Sequence, residues 1–422
     1  MTTLIEKINN GHIESRRLGD LLSDVIDKRG ITPLKLGSDW VSAGVPVMSA
    51  KNIKHYSIVN RDQIRFIDEA TYKKWMPNPL KAEDVILTSE APMGELYFVK
   101  EGELFCLGQR LFALRADTKE IYPKYLFYFL QSTRGRHELY RRISGTAAEG
   151  IRQAELVNIE VKKPDLLIQK KISEILGAYD TKVEINNSII KNLEAAAQVI
   201  FEEWFVNFRF PGYEKTSLVE SEAGKIPKGW SVKKISDVAH LNKGVSYTSA
   251  EINTENDGVA LINLGNFRRG GGFNLNGTKC YTGEYKQSHE VVPGQILIAM
   301  TDLTSNREVI GHPARLPENF KKAVISLDVC SLSPKKDIYI EFLYHLMLRR
   351  SFSKLMASCA SGTNVSHLSK SHIEGYDFVF PNDQVLAKFN TLIQPMFSLQ
   401  AVLDEENQKL QQAREELLTK LI

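Results

Sequence analysis

The chain has 422 residues, of which 43% are hydrophobic and 25% are charged, so it has enough material for two or three globular domains. No apolar run approaches the roughly 20 residues of a membrane-spanning helix, and the start has no secretory-signal pattern. The four scattered cysteines predict a reducing, cytoplasmic setting, and the net charge of +3 permits nucleic-acid binding without requiring it.

The first third of the chain predicts a mixed α+β module over residues 16–164, preceded by an N-terminal arm over residues 1–15. Its short apolar runs are rich in β-branched residues and are separated by glycine, proline and asparagine, which is typical of strands with turns. The predicted strands are Val45–Met48, Val85–Thr88, Leu96–Val99 and Leu111–Leu114, and an amphipathic helix is predicted from Pro123 to Gln131 onward.

A long helix is predicted from Gln169 to Trp204, within a central segment of residues 165–210. Apolar or small residues recur in steps of four and three, at Ile172, Leu176, Tyr179, Val183, Ile190, Leu193, Ala197 and Ile200. That spacing is typical of a coiled-coil seam, and Asn186 is its one polar member, a residue type that can fix register. At about 1.5 Å per residue the helix would span roughly 54 Å, which suits a spacer. An ordinary long core helix is the alternative.

An aromatic cluster closes this helix and precedes a polar stretch. Trp204, Phe205 and Phe208 either complete a core at the helix end or form an exposed patch that docks another subunit. Residues 211–230 have the composition of a linker.

The second half of the chain repeats the first, and the offset between matching residues drifts in the strand-rich part. Near the end of each half, a constant offset of 217 residues (361 − 144) carries Ser144-Gly145-Thr146 onto Ser361-Gly362-Thr363. We call it the repeat offset. It also carries Tyr125 onto Phe342, Ile151 onto Leu368, Leu156 onto Ile373, Pro164 onto Pro381 and Ile172 onto Phe389. A second module is therefore predicted over residues 211–380, with an amphipathic helix over Ile340–Met356.

A second long helix is predicted over residues 381–422, entered through Pro381-Asn382-Asp383. Its apolar positions are again near 3.5 residues apart: Phe389, Ile393, Met396, Leu399, Leu403, Leu410 and Leu417. Pro395 should kink it or delay its regular part. Because the second module lies between the two long helices, we expect them to pair antiparallel.

No catalytic motif is present: the sequence has neither a GxxxxGK[ST] loop nor HExxH, and no Asn/Asp-Pro-Pro-aromatic tetrad of amino-group methyltransferases. Instead, hydroxyl, amide and cationic side chains gather where strands or helices break, a composition that suits phosphate oxygens and base edges. Solvated loops are the alternative for each of them. The candidate DNA contacts are Lys51, Asn52, Thr88, Ser89, Ser144, Gly145, Thr146, Arg152, Asn266, Arg268, Arg269, Thr301, Ser361, Gly362, Thr363, Asn364 and Lys370.

The chain resembles the specificity subunit of type I restriction–modification systems. The resemblance is carried by the duplicated Ser-Gly-Thr turns, by Pro164 and Pro381 before the long helices, and by Glu202-Glu203-Trp204-Phe205 with Phe208. It implies two target-recognition domains, each reading half of a bipartite, asymmetric DNA sequence, separated by an antiparallel coiled coil. It also implies two modification subunits that bind S-adenosylmethionine and restriction subunits that consume ATP with Mg²⁺; the chain itself would carry no cofactor, no metal and no catalysis.

We therefore expect an α+β protein with two repeated α/β target-recognition domains, two long helices and approximate two-fold symmetry. Two other functions stay open on the sequence. A coiled-coil adaptor that binds only proteins would show no salt-dependent affinity for DNA. An enzyme with unrecognised site residues would turn over DNA in the presence of magnesium or S-adenosylmethionine.

Overall fold

The computed structural model describes residues 13–143, 149–253, 258–303, 307–362 and 365–422. The chain divides into two compact units. Unit 1 holds the chain through Val183 together with Gln408–Ile422, and unit 2 holds Glu184–Asn407. Among the described residues, no helix is long and apolar enough to cross a membrane.

Unit 1 is a mixed α/β module that ends in the first part of a long helix. Its strands are Glu14–Arg17, Leu22–Asp27, Val45–Met48, Ile53–Lys54, Ser57–Ile58, Arg65–Ile67, Val85–Thr88, Leu96–Phe98, Cys106–Leu107, Leu111–Ala116 and Glu160–Lys163. Its α-helices are Glu69–Trp75, Pro123–Gln131, Thr133–Tyr140, Gln153–Leu156 and the beginning of the central helix, Leu166–Phe201. The four predicted strands and the start of the predicted helix are confirmed.

A four-stranded antiparallel sheet separates two hydrophobic cores in unit 1. The order is Leu22–Asp27, Leu111–Ala116, Val85–Thr88 and Leu96–Phe98. Because successive side chains of a strand point to opposite faces, Phe112 and Leu114 enter the core beneath Pro123–Gln131 and the long helices. Leu111 and Ala113 enter the other core, which a three-stranded sheet and Glu69–Trp75 cover. We call these the helix-side core and the sheet-side core.

Unit 2 contains the same kinds of elements. Its strands are Leu218–Ser221, Gly224–Pro227, Ser231–Lys234, Ala239–Lys243, Ile252–Asn253, Val259–Ile262, Lys279–Tyr281, Glu290–Val291, Ile296–Ala299, Thr301–Asp302, Pro313–Arg315, Ala323–Ile325, Val329–Pro334, Ser366–His367 and Asp377–Phe380. Its α-helices are Ile235–Val238, Ile340–Leu348, Arg350–Cys359, Lys370–Glu374 and most of the C-terminal helix, Asp383–Leu421, and a π-helical turn Glu202–Val206 follows the central helix.

The repeat offset holds for the elements as well as for the sequence. It carries Pro123–Gln131 onto Ile340–Leu348 and the first residue of the central helix, Leu166, onto Asp383. The antiparallel pair Glu14–Arg17 with Glu160–Lys163 recurs as Ser231–Lys234 with Asp377–Phe380. The four-stranded sheet recurs as Ala239–Lys243, Val329–Pro334, Ile296–Ala299 and Pro313–Arg315. The predicted repeat is thus confirmed at the level of topology.

The two long helices pair antiparallel within each unit. In unit 2, Asn186 is fully buried, and its amide nitrogen donates to Asn407 Oδ1 at 3.0 Å and to Glu406 Oε2 at 2.8 Å. In unit 1, Asp180 Oδ1 accepts from Arg414 Nε at 2.6 Å. Residue numbers rise along one helix while they fall along the other. The seam prediction holds for Asn186 and is wrong at Leu399, which is 44% exposed while the neighbouring Gln400 is 9% exposed.

Several segments differ from the sequence-based expectation. The C-terminal helix starts as predicted, since Asn382 Oδ1 accepts from Val385 N at 3.0 Å, but it runs through Pro395 without interruption. The predicted helix Ile340–Met356 breaks at Arg349, which is extended (φ −62°, ψ 133°), so that a second helix begins. The polar stretch predicted as a linker forms the hairpin Leu218–Ser221 with Gly224–Pro227. Its Ile226 is buried in the unit 2 core, as is Trp230 just beyond the hairpin, and these contacts fix the stretch.

Only the last residues of the predicted N-terminal arm, residues 1–15, lie among the described residues. Residues 1–12 lie outside the described residues, whereas Glu14 and Ser15 pair with Lys163 and Lys162 in the first strand of unit 1.

A buried histidine in unit 2 gives a prediction on pH. His345 is 1% exposed, its ring stacks on Phe201, and Nδ1 lies 3.1 Å from Gln198 Oε1. Burial lowers the pKa of His345 to about 3, and the charge of Arg315 lowers it further. The imidazole takes up a proton near pH 6.5 in the unfolded chain, whereas the buried ring of the folded chain resists protonation. The folded state is therefore not destabilised by His345 above pH 6.5, and it loses stability as the pH falls from 6.5 toward 3.

We therefore expect His345 to make unit 2 less stable by about 2 kcal/mol at pH 5 than at pH 7, at about 1.4 kcal/mol per pH unit below 6.5. Urea unfolding of the wild type and of His345→Phe at both pH values measures it. The variant should lose that part of the pH dependence, and parallel pH profiles would contradict the prediction.

Candidate nucleic-acid interface

The first candidate DNA-contact segment of unit 1 is a tight polar turn at the end of strand Val45–Met48. Asn52 is 1% exposed; its Oδ1 accepts from Ser49 N at 3.0 Å and from Ser49 Oγ at 2.9 Å, and its Nδ2 donates to Asn60 O at 3.3 Å. Asn60 Nδ2 in turn donates to Lys51 O at 2.8 Å. The buried amides fix the backbone, and Lys51 is left exposed at the top of the turn.

The same turn recurs in unit 2 after strand Val259–Ile262. Asn266 is fully buried; its Oδ1 accepts from Asn263 N at 2.9 Å, and its Nδ2 donates to Asn274 O at 3.0 Å and Thr278 Oγ1 at 2.8 Å. Asn263 caps the turn by accepting from Gly265 N at 2.9 Å. Asn52 and Asn266 therefore have the same task, which is to hold a turn. A direct contact of Asn52 or Asn266 with DNA stays a prediction.

Three further candidates have buried hydroxyl groups, and those of Thr88 and Thr301 hold their loops by hydrogen bonds. Thr88 Oγ1 donates to Pro92 O at 2.7 Å and accepts from Glu95 N at 2.8 Å, and Thr301 Oγ1 donates to Asp328 Oδ1 at 2.8 Å. Ser89 is 1% exposed, and its carbonyl accepts from Ile151 N at 2.9 Å. Their side chains face the protein, so a contact with DNA would come from the loops that they shape.

Four further candidates are cations, of which three are exposed. Arg152 and Arg268 are exposed, as is Arg269, which forms an ion pair with Glu308 at 2.7 Å. Lys370 is half-buried and pairs with Glu374 at 3.1 Å. Glu194 and Asp404 lie on the two long helices. Partial removal from water raises the pKa values of both carboxyl groups, and the nearby positive charge of Arg268 opposes that rise. Arg268 therefore has acidic neighbours within its own unit.

The repeated Ser-Gly-Thr turn can be followed only in part. Ser144, Gly145 and Thr146 lie outside the described residues, as do Thr363 and Asn364. Ser361 is exposed, and its N–H donates to His367 O at 3.0 Å. Gly362 has φ +121°, and a Cβ there would lie 2.0 Å from Val365 O, so this turn requires glycine.

The aromatic cluster after the central helix is mostly internal to unit 2. Phe205 is 5% exposed, and its ring centroid lies 4.9 Å from those of both Phe342 and Phe389. Trp204 packs on Phe389 at 5.8 Å, and Phe208 on Trp230 at 5.5 Å. Beside them lies a cavity of about 280 Å³. This packing fits the alternative of a helix-end core, and the docking role of Trp204, Phe205 and Phe208 stays a prediction.

An exposed apolar surface lies elsewhere on the paired helices of unit 2. Its members are Ile185, Ile189, Val199, Leu392, Leu399 and Val402, which are 50%, 38%, 62%, 42%, 44% and 61% exposed. Each of these residues stands one position before a residue of the seam, as Ile185 stands before Asn186 and Val402 before Leu403. Since the helices are antiparallel, a rotation of about 100° from each seam brings both rows to the same side of the pair. We call this surface the apolar stripe.

The sequence contains a signal for the stripe that is separate from the signal for the seam. Ile185 and Ile189 form a second apolar row four residues apart on a helix whose seam was already assigned. Such a row on a two-helix coiled coil has no partner inside the pair. It therefore indicates a surface that another helix could cover.

Among the described residues, no three or more His, Cys, Asp or Glu side chains are arranged to hold a metal ion. The described part of the arrangement consists of loops, exposed cations and a helical surface, all of which can bind a partner.

Comparisons with known proteins agree with this description. The sequence matches the family described as "Type I restriction modification DNA specificity domain" over residues 10–195 and 227–397. It is 24% identical to the type I restriction enzyme MjaIX specificity subunit of Methanocaldococcus jannaschii over 93% of this chain and 89% of the relative. It is 20% identical to the HindI specificity subunit of Haemophilus influenzae over 81% of this chain and 86% of the relative. The solved S subunit from M. genitalium has the same fold, with a TM-score of 0.55 and 14% identity, over 98% of this chain and 97% of that one.

Proposed function

Because the chain belongs to the family of type I restriction modification DNA specificity domains, we propose that unit 1 and unit 2 each read one half of a bipartite, asymmetric DNA sequence. The observation that carries the proposal is the polar turn that recurs at Asn52 and Asn266. In both units, side chains of the same type hold the turn in place, while the exposed residues around it differ. A shared frame with different exposed loops is what two readers of different half-sites need.

The test is a gel-shift series with the full chain and its modification subunits. The duplex carries the methylated sequence found in a host that expresses them, and one half-site at a time is scrambled. We expect each scrambled half-site to weaken binding, and log K to fall with log salt as phosphate contacts are lost. Equal binding to an unrelated duplex would reject the proposal.

The same experiment separates the remaining alternatives. An adaptor that binds only proteins would show no salt-dependent affinity for the duplex. An enzyme would convert the DNA when the purified chain is incubated with magnesium or S-adenosylmethionine. We propose that the chain is non-catalytic, that S-adenosylmethionine, ATP and Mg²⁺ act in partner subunits, and that the assembly works on DNA in the cytoplasm.

We further propose that two modification subunits dock on this chain, joined by restriction subunits, and that the apolar stripe is a docking surface for the modification subunits. The apolar side chains of the stripe are between about 40% and 60% exposed, and they lie on a helix pair whose seam is joined by the buried Asn186–Asn407 hydrogen bond. An amphipathic helix of a partner could cover them and complete a bundle.

This docking surface gives a prediction. Ile189→Glu should weaken binding of the modification subunit on the order of thirtyfold, because central apolar contacts at interfaces contribute about 2 kcal/mol or more. Size-exclusion chromatography and titration of the purified subunits measure the loss.

Lys191→Glu is the matched control. It places the same carboxylate two residues away, on the opposite side of the helix from the stripe, and should leave binding unchanged. Because both positions are exposed, the unfolding temperature of either variant should stay near that of the wild type. Equal affinity of Ile189→Glu and wild type for the modification subunit would reject the stripe as the docking surface.

A further inference from the structure

The hairpin after the polar turn of unit 1 has an unusual tip. Strands Ile53–Lys54 and Ser57–Ile58 are joined by His55 and Tyr56, both with positive φ, at +48° and +61°. Such two-residue turns usually carry asparagine, aspartate or glycine, because a bulky side chain disfavours this backbone conformation. A tyrosine persists there when its surroundings hold it in place.

The side chain of Tyr56 packs on a different core from the other apolar residues of its hairpin. Ile53 and Ile58 belong to the sheet-side core of unit 1, whereas Tyr56 packs on the helix-side core. Its ring meets Phe127 edge-on at 5.9 Å, and its hydroxyl accepts from Arg136 Nη2 at 2.7 Å. Tyr56 thus ties the hairpin to the helices across the edge of the central sheet.

Arg414 of the C-terminal helix provides the platform under Tyr56. Its side chain is 7% exposed and lies between two rings, with Cζ 5.7 Å from the Tyr56 centroid and 5.4 Å from that of Tyr128. Asp180 Oδ1 accepts from its Nε at 2.6 Å, and Gln131 Oε1 accepts from its Nη2. A guanidinium held at several points has little freedom to move, so it fixes the ring above it.

The hairpin tip in unit 2 lies against the corresponding helix, Ile340–Leu348. Phe267 and Phe273 pair across the hairpin, and its tip includes Gly271 at φ +103°. A Cβ on Gly271 would lie 2.5 Å from Leu348 Cδ2. Leu348 is the counterpart of Gln131 at the repeat offset. Both units therefore seat this hairpin on the same helix: in unit 1 the ring of Tyr56 meets Phe127, and in unit 2 the backbone of Gly271 lies against Leu348.

We infer that Tyr56, with Arg414, and Gly271 are positioning residues that fix the hairpin of each unit on the helices of that unit and so set how the unit meets its half-site. The hairpin of unit 1 carries the exposed Lys54 and follows the turn with the exposed Lys51, so its angle decides where two cations lie. The inference rests on the proposed function. It assigns no DNA contact to Tyr56 itself.

The experiment compares the full chain with its modification subunits as wild type, Tyr56→Ala, Tyr56→Phe and Gly271→Ala. Each is incubated with a library of random duplexes, and the retained DNA is sequenced. The wild type should select two separated blocks of defined bases. Tyr56→Ala should lose discrimination in one block by about tenfold, as expected for lost aromatic and cation–π contacts, and leave the other intact. Gly271→Ala should damage only the other block.

Tyr56→Phe keeps the ring and should retain most of the discrimination, which separates positioning from the hydrogen bond to Arg136. The undamaged block in each variant is an internal control for folding. The inference is overturned if Tyr56→Ala reduces base discrimination equally in both blocks or in neither. It is also overturned if Tyr56→Ala and Gly271→Ala reduce discrimination in the same block. If the wild type itself selects no two-block sequence, the proposed function fails first, and the inference fails with it.

Discussion

Deleting Asn187–Leu193 together with Gln400–Glu406 is expected to shorten the preferred gap between the two half-sites by about three base pairs. Seven residues of helix correspond to about 10 Å, and one base pair rises by about 3.4 Å. The bases selected within each half-site should stay the same, because the loops of the two units are untouched.

The deletion is designed on the antiparallel pairing seen in unit 2. It removes one full heptad from each helix and keeps the buried pair Asn186–Asn407 at the border of the cut. After the cut, Asn186 is followed four positions later by Ala197, so buried residues still follow one another along the seam. The shortened helices should therefore pair in the original register.

Duplexes that differ only in gap length measure the effect by gel shift. Deleting Asn187–Leu193 alone is the control; it leaves the two helices unequal and should weaken binding at every gap. A double deletion that still prefers the wild-type gap would refute the spacer role. A changed half-site sequence would do so as well.

Arg115→Ala is expected to destabilise unit 1 by about 3–5 kcal/mol, because it leaves a buried carboxylate without its partner. Asp84 is 2% exposed, and its two oxygens accept from Arg115 Nε and Nη2 at 2.9 and 2.7 Å. Arg115 also binds Asn78 Oδ1 and Pro79 O, at 2.9 and 2.8 Å. The lesion therefore also loosens the loop before strand Val85–Thr88.

Hydrogen exchange resolved by segment is the suitable measurement, since a chain with two units need not unfold in a single step. Amides of Leu111–Ala116 should exchange faster in Arg115→Ala, while those of Val329–Pro334 in unit 2 should not. Lys73→Ala is the matched control because the Lys73–Glu69 pair is exposed, and it should leave both segments unchanged. Unaltered protection of Leu111–Ala116 in Arg115→Ala would contradict the prediction.

The sequence was sufficient for the features that depend on periodicity and repetition. The seam around Asn186, the strand Val85–Thr88 and the helix Pro123–Gln131 each have a local pattern that survives folding unchanged. The repeat offset was visible because the elements between the sheet and the long helices contain no net insertion. These features together predicted the fold class, which is confirmed.

The sequence was insufficient where the role of a polar side chain depends on which partner it reaches in the folded chain. Asn52, Thr88 and Asn266 have the composition of DNA-contact loops, yet their polar atoms are satisfied by backbone and hydroxyl groups up to twelve residues away in the same turns. Composition cannot separate a side chain that holds a loop from one that the loop presents. The break at Arg349 was missed for a related reason, since its ion pair with Glu202 is distant in sequence.

The strand pair that closes each unit has a consequence for how such a chain can change. Glu14 pairs with Lys163, and Ser231 pairs with Phe380, so each module enters and leaves through neighbouring strands just before a long helix. Insertions are best tolerated where the two ends of a segment lie together. Each module can in this respect be exchanged as a unit, with its terminal strand pair as the junction. Recombination that introduced a module with different loops at the same junction would bring a new specificity without requiring any change in the helices.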